Sequence, residues 1–123
     1  MNPVDLATSL HRALEAGESG PALRRHFAAD AVTVERPNLI KPNGARSPLE
    51  EMLANSEKGT GLLSRQKYDV HSALVSGDTA ILRLTWTGTL RDGRELVAHI
   101  AQFVDTRDGL ISAIETYDCY EPF

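Results

Sequence analysis

The chain has 123 residues, a formal net charge of −4 and one cysteine, Cys119. That length makes one domain, residues 1–123, with enough chain for a core and too little for a second domain. Hydrophobic residues are 41% and charged residues 24%, so disorder, collagen and coiled coil are set aside. The mild acidity lacks the basic footprint of a nucleic-acid binder. A lone cysteine leaves no disulfide framework and no cysteine-based zinc site. Apolar runs are short and the N-terminus carries no signal-peptide pattern, so the expectation is a cytoplasmic protein without a membrane span.

Val4, Leu6, Leu10 and Leu14 form a helical stripe, with Asn2 as cap, Pro3 in the first turn and Gly17 as stop. A second short helix is predicted from Pro21 to about Ala29. Residues 31–36 (AVTVER) alternate as a short strand. Residues 37–46 hold two prolines, two asparagines and a glycine, and read as a loop. Ser47-Pro48-Leu49-Glu50 resembles a capping box, so a third helix is predicted to run from there to about Ser56 and to end before Gly59 and Gly61. Four strands follow: Arg65–Val75, Thr79–Leu90, Arg94–Asp105 and Leu110–Tyr120. Their turns are Ser76-Gly77-Asp78, Asp92-Gly93 and Asp108-Gly109. Helices first and an antiparallel meander after them make an α+β fold, with the helices on one face of a curved sheet.

Strand alternation sorts the meander into two faces. Ala80, Leu82, Leu84, Trp86 and Leu90 share one. On the third long strand Leu96, Ala98, Ile100, Gln102 and Val104 oppose Val97, His99, Ala101 and Phe103. On the last, Ile114, Thr116, Asp118 and Tyr120 oppose Glu115, Tyr117 and Cys119. A sheet apolar on both sides needs two covers, helices on one side and a second subunit on the other. A homodimer through the sheet is therefore expected.

Three ionisable groups interrupt apolar strands: His99, Asp118 and Glu35. Buried charge is costly unless paired or used, which makes them candidate catalytic residues. Each also has a plain structural reading, as a satisfied core histidine, a solvated strand end and an exposed rim carboxylate. Arg36 is a solvated neighbour or an anion contact. Trp86 and Phe103 are core residues or stacking platforms. Tyr117 and Tyr120 are core, dimer contact or hydrogen-bond donors. His11, His26, His71 and His99 lack metal-ligand spacing, and no phosphate loop or nucleophile elbow is present. No metal or cofactor is expected, and any chemistry is expected to be proton transfer.

The run Phe27-Ala28-Ala29-Asp30-Ala31-Val32-Thr33-Val34-Glu35-Arg36-Pro37 resembles a passage of the nuclear transport factor 2-like superfamily. A Trp-bearing strand, Asp108-Gly109-Leu110-Ile111 and a terminal Glu115-Thr116-Tyr117-Asp118 extend the resemblance over nearly the whole chain. It is nearest to SnoaL-like polyketide cyclases and ketosteroid isomerases. The resemblance implies a cone-shaped curved antiparallel sheet wrapped by three N-terminal helices, a pocket at its open end, and dimers. The steroid enzyme's base falls on Glu35 or Arg36, its first-helix tyrosine near Leu10, and its protonated aspartate near His99 or Ile100. That constellation is not intact. The cyclase histidine falls on His99 and its aspartate near Thr116, two residues before Asp118. The expected pocket thus holds His99, Asp118 and Glu35, lined by Thr116, Ile114, Trp86, Tyr117, Tyr120, Phe103, Arg36 and Leu10. The implied substrate is a small apolar carbonyl or polyketide-like molecule. The rival expectations are a ligand-binding module and a purely structural dimeric domain.

Overall fold

A computed structural model describes residues 1–123. Helix α1 spans Pro3–Glu15, and Asn2 caps it in a closed capping box with Asp5. Its buried face presents Leu6, Ala7, Leu10, His11 and Ala13. A short 3-10 helix follows, Gly20–His26, and buries Leu23. The chain turns to strand at Phe27, earlier than the helix predicted to reach Ala29. Phe27 and Ala31 belong to the core, so burial of their side chains along an extended strand overrides local helix preference.

Strand β1 (Phe27–Glu35) pairs with a short β2 (Ala45–Pro48), where a loop was expected throughout. Pairing sets Ser47 opposite Thr33 and buries it, so Ser47 does not cap the next helix. Helix α2 (Leu49–Leu62) starts behind Pro48 with no side-chain cap. It also runs through Gly59 and Gly61 rather than stopping before them. Two interior glycines cost roughly 1 kcal/mol each in helix propensity. Burial of Leu49 and Leu53 anchors the helix, which continues into the next strand without a loop.

The meander is β3 (Leu63–Ser76), β4 (Thr79–Leu90), β5 (Glu95–Arg107) and β6 (Leu110–Tyr120). Sheet order is β2-β1-β6-β5-β4-β3. Neighbours are antiparallel except β1 and β6, which run parallel, so the six-stranded sheet is mixed rather than wholly antiparallel. Register shifts at Leu63/Arg65, Val70/Ser72 and Asp105/Thr106 break the regular ladder. Such bulges increase local twist and bend the sheet.

Helices α1 and α2 lie against the concave face. The core between them and the sheet holds Leu23, Leu82, Leu84, Val104 and Ile111, all nearly inaccessible. This is an α+β fold with a curved open sheet, as the alternation of the strands requires. The opposite face of the sheet has no helix over it. No helix is long and apolar enough to cross a membrane.

One loop bears directly on the concave face. Between β1 and β2, Asn38 organises the chain. Its Oδ1 accepts from the N–H groups of Ile40 and Lys41, and its Nδ2 donates to the Glu35 carboxylate at 2.7 Å. The loop closes at Gly44, where φ is +67° and an added Cβ would lie 2.6 Å from the Glu35 carbonyl oxygen. Only glycine fits that turn without displacing β1.

Candidate functional site

The strand register arranges the concave face in rows. Tyr68, Trp86, Ala98 and Tyr120 lie abreast on β3, β4, β5 and β6. The next row is Val70, Leu84, Ile100 and Asp118. The third is Leu82, Gln102, Thr116 and Glu35, the last reached across the parallel pairing of β1 with β6. Beyond the core these rows open into a cavity of about 460 Å³ beneath α1 and α2, lined mainly by apolar side chains. Its size and lining suit a small organic ligand.

Asp118 sits on the cavity wall. Its Oδ1 is sealed from solvent and has no hydrogen-bond partner. Burial, reinforced by the negative charge of Glu35, pushes its pKa up from 3.8 to about 6. The Thr116 hydroxyl and the Lys41 ammonium pull in the other direction. Glu35 is treated differently by its surroundings. Asn38 donates to it, and Lys41 Nζ lies 3.5 Å away. The cavity thus holds two carboxyl groups, one partnered and one not. Burial, then the charges of Asp118 and Glu35, push the Tyr120 phenol up to about 12, so it remains a donor at neutral pH.

Trp86 and Tyr68 form the opposite wall. Trp86 Nε1 donates to Gln66 Oε1 at 3.0 Å. The indole lies across Gly88, where a Cβ would come within 2.3 Å of the ring, so this glycine makes room for the side chain. His11 is 1% exposed and stacks on Tyr68 with ring centres 4.5 Å apart. Its Nε2 is 2.7 Å from Gln102 Oε1. Burial lowers the His11 pKa more than the Gln102 contact raises it. His11 is therefore neutral at pH 7.

Of the expected residues, Asp118, Glu35, Thr116, Ile114, Trp86, Tyr120 and Leu10 line the cavity. The other four lie on the outer face and are corrections. His99 falls between the inward-facing Ala98 and Ile100, so strand parity turns it outward. Its side chain is 56% exposed, with Nε2 2.7 Å from Glu121 and Nδ1 3.3 Å from the Thr85 hydroxyl, which also meets His71. Phe103 and Tyr117 meet edge to face at 5.9 Å on that same side. Arg36 follows the inward Glu35 and points out, donating to Glu115 from Nε at 2.8 Å and lying over the Tyr117 ring. Of the two, Glu35 lines the cavity and Arg36 does not.

Among the cavity residues that the sequence expectations did not name are two polar ones that meet each other, His11 and Gln102. Both had a signal. His11 completes the inward spacing Ala7, Leu10, His11, Leu14 on α1. Gln102 is the one polar side chain between Ile100 and Val104 on the inward face.

Residues 7–114 match the SnoaL-like domain. No curated protein matches by sequence. A candidate polyketide cyclase from Streptomyces antibioticus superposes with a TM-score of 0.78 at 22% identity, covering 96% of this chain and 92% of that one. A ketosteroid isomerase-like protein from Catenulispora acidiphila, solved with trimethylamine, gives 0.75 at 20% identity over 95% and 86%. A candidate hydroxylase from Streptomyces galilaeus gives 0.76 at 16% identity over 94% and 77%. Identities this low speak for the shared fold.

The raised Asp118 pKa has a consequence for stability. Between pH 3.8 and about 6 the folded protein holds a proton that the unfolded chain has released. Stability from this group therefore falls as pH rises through that window, and the full penalty is present above it. Asp118→Asn removes the penalty. The variant is expected to melt a few degrees above wild type at pH 7.5, with no such advantage at pH 4. Thermal unfolding at the two pH values checks this, and a variant less stable at pH 7.5 would contradict it.

Proposed function

The chain belongs to the SnoaL-like domain family, and we propose that it is a small enzyme that moves a proton on an apolar, carbonyl-bearing ligand held in the cavity. One observation carries this reading. Asp118 presents a carboxyl group to the cavity with one oxygen sealed and unpartnered and its pKa near 6. A group poised close to neutrality can both take and return a proton. Glu35 supports the role by raising the basicity of its neighbour, and Tyr120 supplies a protonated hydroxyl.

The step needs no further reactant. The Asp118 carboxylate takes a proton from the carbon beside a carbonyl. The C–H pair becomes a C=C bond, and the carbonyl π pair moves to oxygen. Returning the proton to a different atom gives isomerisation. Attack of the enolate carbon on a second carbonyl of the same molecule gives cyclisation, with the proton delivered to the new alkoxide. In a β-hydroxy carbonyl compound, the enolate formed by loss of the α-proton to Asp118 re-forms its carbonyl, makes a C=C bond and expels hydroxide. The hydroxide takes the proton from Asp118 and leaves as water, giving dehydration. Polyketide-like substrates carry such carbonyls in series, and the naming of a structural relative as a candidate polyketide cyclase supports that class. The alternative is a binding module of the same fold. The outward placement of His99 favours it, because the carboxylates then act without the histidine partner.

Both readings meet in one experiment. With 2-tetralone in D₂O, wild type is expected to speed α-deuteration over buffer, with a rate that rises with pH through about 6 and then levels. Asp118→Asn is expected to lose at least about 100-fold of that acceleration. Binding without acceleration would favour the module, and an unaffected Asp118→Asn variant would overturn the role of Asp118.

We also propose a homodimer formed through the outer face of the sheet. Tyr117 and Leu74 are 44% and 67% exposed there, and the half-buried Phe103 and Val97 continue the apolar surface. Packing a second copy on this face would bury it. Sedimentation velocity at micromolar concentration is expected to give twice the chain mass, falling to the chain mass in Tyr117→Glu. A monomeric wild type would contradict the dimer.

A further inference from the structure

Two glutamines face the cavity, and the protein uses them differently. Gln66 is occupied at both ends: its Oε1 accepts from Trp86, and its Nε2 donates to the Leu14 carbonyl at 3.3 Å. Gln102 is held at one end only. Its Oε1 meets His11 Nε2, while its amide nitrogen has no protein acceptor and is not among the sealed polar atoms.

The orientation of that amide follows from His11. The ring is buried and neutral, so it carries one N–H. With the proton on Nε2, the ring donates to Gln102 Oε1. The buried Nδ1, which has no partner, is then a bare lone pair. With the amide reversed, Gln102 would donate to Nε2, and Nδ1–H would be a buried donor without an acceptor. An orphaned donor is the costlier of the two. The first arrangement is the stable one, and it leaves the amide N–H bonds of Gln102 without a protein acceptor on a residue that lines the cavity.

Their position matches the acid. Gln102 pairs across β5 and β6 with Thr116, and Asp118 is the next residue on the same face. Such diagonal neighbours have backbones about 7–8 Å apart, with side chains converging on the concave side. A ligand with its carbonyl oxygen at Gln102 brings the adjacent C–H toward Asp118.

We propose that the Gln102 side-chain amide is the donor for the ligand's carbonyl oxygen and for the enolate oxygen that replaces it, and that His11 is the positioning residue that aims it. This rests on the proton-transfer reading above. When Asp118 takes the proton and charge moves onto oxygen, a preoriented amide N–H meets that charge against a mainly apolar wall. Such donors stabilise the enolate more than the ketone. His11, 1% exposed, acts through Gln102. Its stack on Tyr68 and its bond to Gln102 Oε1 stop the amide from rotating.

The test compares acetophenone with ethylbenzene, which differ little beyond the carbonyl, by NMR shift titration of the whole protein. Wild type is expected to prefer acetophenone. Gln102→Leu is expected to lose about tenfold in acetophenone affinity, the worth of one good hydrogen bond, and to keep its ethylbenzene affinity within about twofold. His11→Phe keeps a ring on Tyr68 and removes the anchor, so it is expected to lose acetophenone affinity in the same selective way but by less. A structural role alone would weaken both ligands together. Nitrogen-15 NMR of His11 in unaltered protein reads the tautomer directly and does not depend on any variant folding. Nε2–H at neutral pH is expected. The Nδ1–H tautomer, no carbonyl preference in wild type, or equal losses of both ligands in Gln102→Leu would each overturn the proposal. Deuterium exchange and carbonyl preference are separate readouts. Loss of the first with the second intact would remove the proton-transfer reading and leave Gln102 as a binding donor.

Discussion

A half-buried carboxyl group with one oxygen sealed from water governs this cavity. Asp118 stands on β6, paired on one side with β5 and lying one step from the β1 pairing on the other, so its backbone cannot carry it outward. One oxygen is sealed without a partner. Desolvation disfavours its charge, and the negative Glu35 nearby disfavours it further. The Thr116 hydroxyl and Lys41 return part of that loss, which leaves the group balanced near pH 6 rather than permanently neutral. Tyr120 inherits the same environment and holds its proton more tightly. An unpartnered charge on a rigid strand destabilises the fold, and such a cost is typical of positions kept for chemistry.

The two faces of the sheet divide the labour. Inward residues make the core and then, toward the open end, the cavity. Outward residues form a polar and aromatic surface, with the chain His71–Thr85–His99–Glu121 at one part of it and Arg36–Glu115 against Tyr117 at another. Because side chains alternate along a strand, one residue of displacement exchanges these roles completely. Structural relatives at 16–22% identity share the fold.

The same alternation explains what could be read from the sequence. The ends of β4 and β6 coincide with the predicted ones, because Gly turns and apolar parity mark them locally. Asn2 and Pro3 announced α1 for the same reason. Asp118 and Glu35 stood out as charges within apolar strands. The failures are non-local. Strand β2 exists only because β1 offers it an edge, and that edge takes Ser47 from its role as a cap. Helix α2 passes Gly59 and Gly61 and runs straight into β3, which glycine propensity does not signal. His99 was chosen as a charge interrupting an apolar strand and by family position, although Ala98 and Ile100 already placed it on the other face. His11 and Gln102 are neutral in the fold and looked ordinary in isolation. Their meeting spans 91 residues and depends on α1 lying across β5.

The central claim is that Asp118 is a buried carboxyl group poised near neutrality. Carbon-13 NMR of aspartate-labelled protein, with the Asp118 signal assigned through Asp118→Asn, measures it most directly. A carboxyl titration midpoint near pH 6 is the expected result. A midpoint near the ordinary 3.8 would show a solvated or well-partnered carboxylate and would contradict the account.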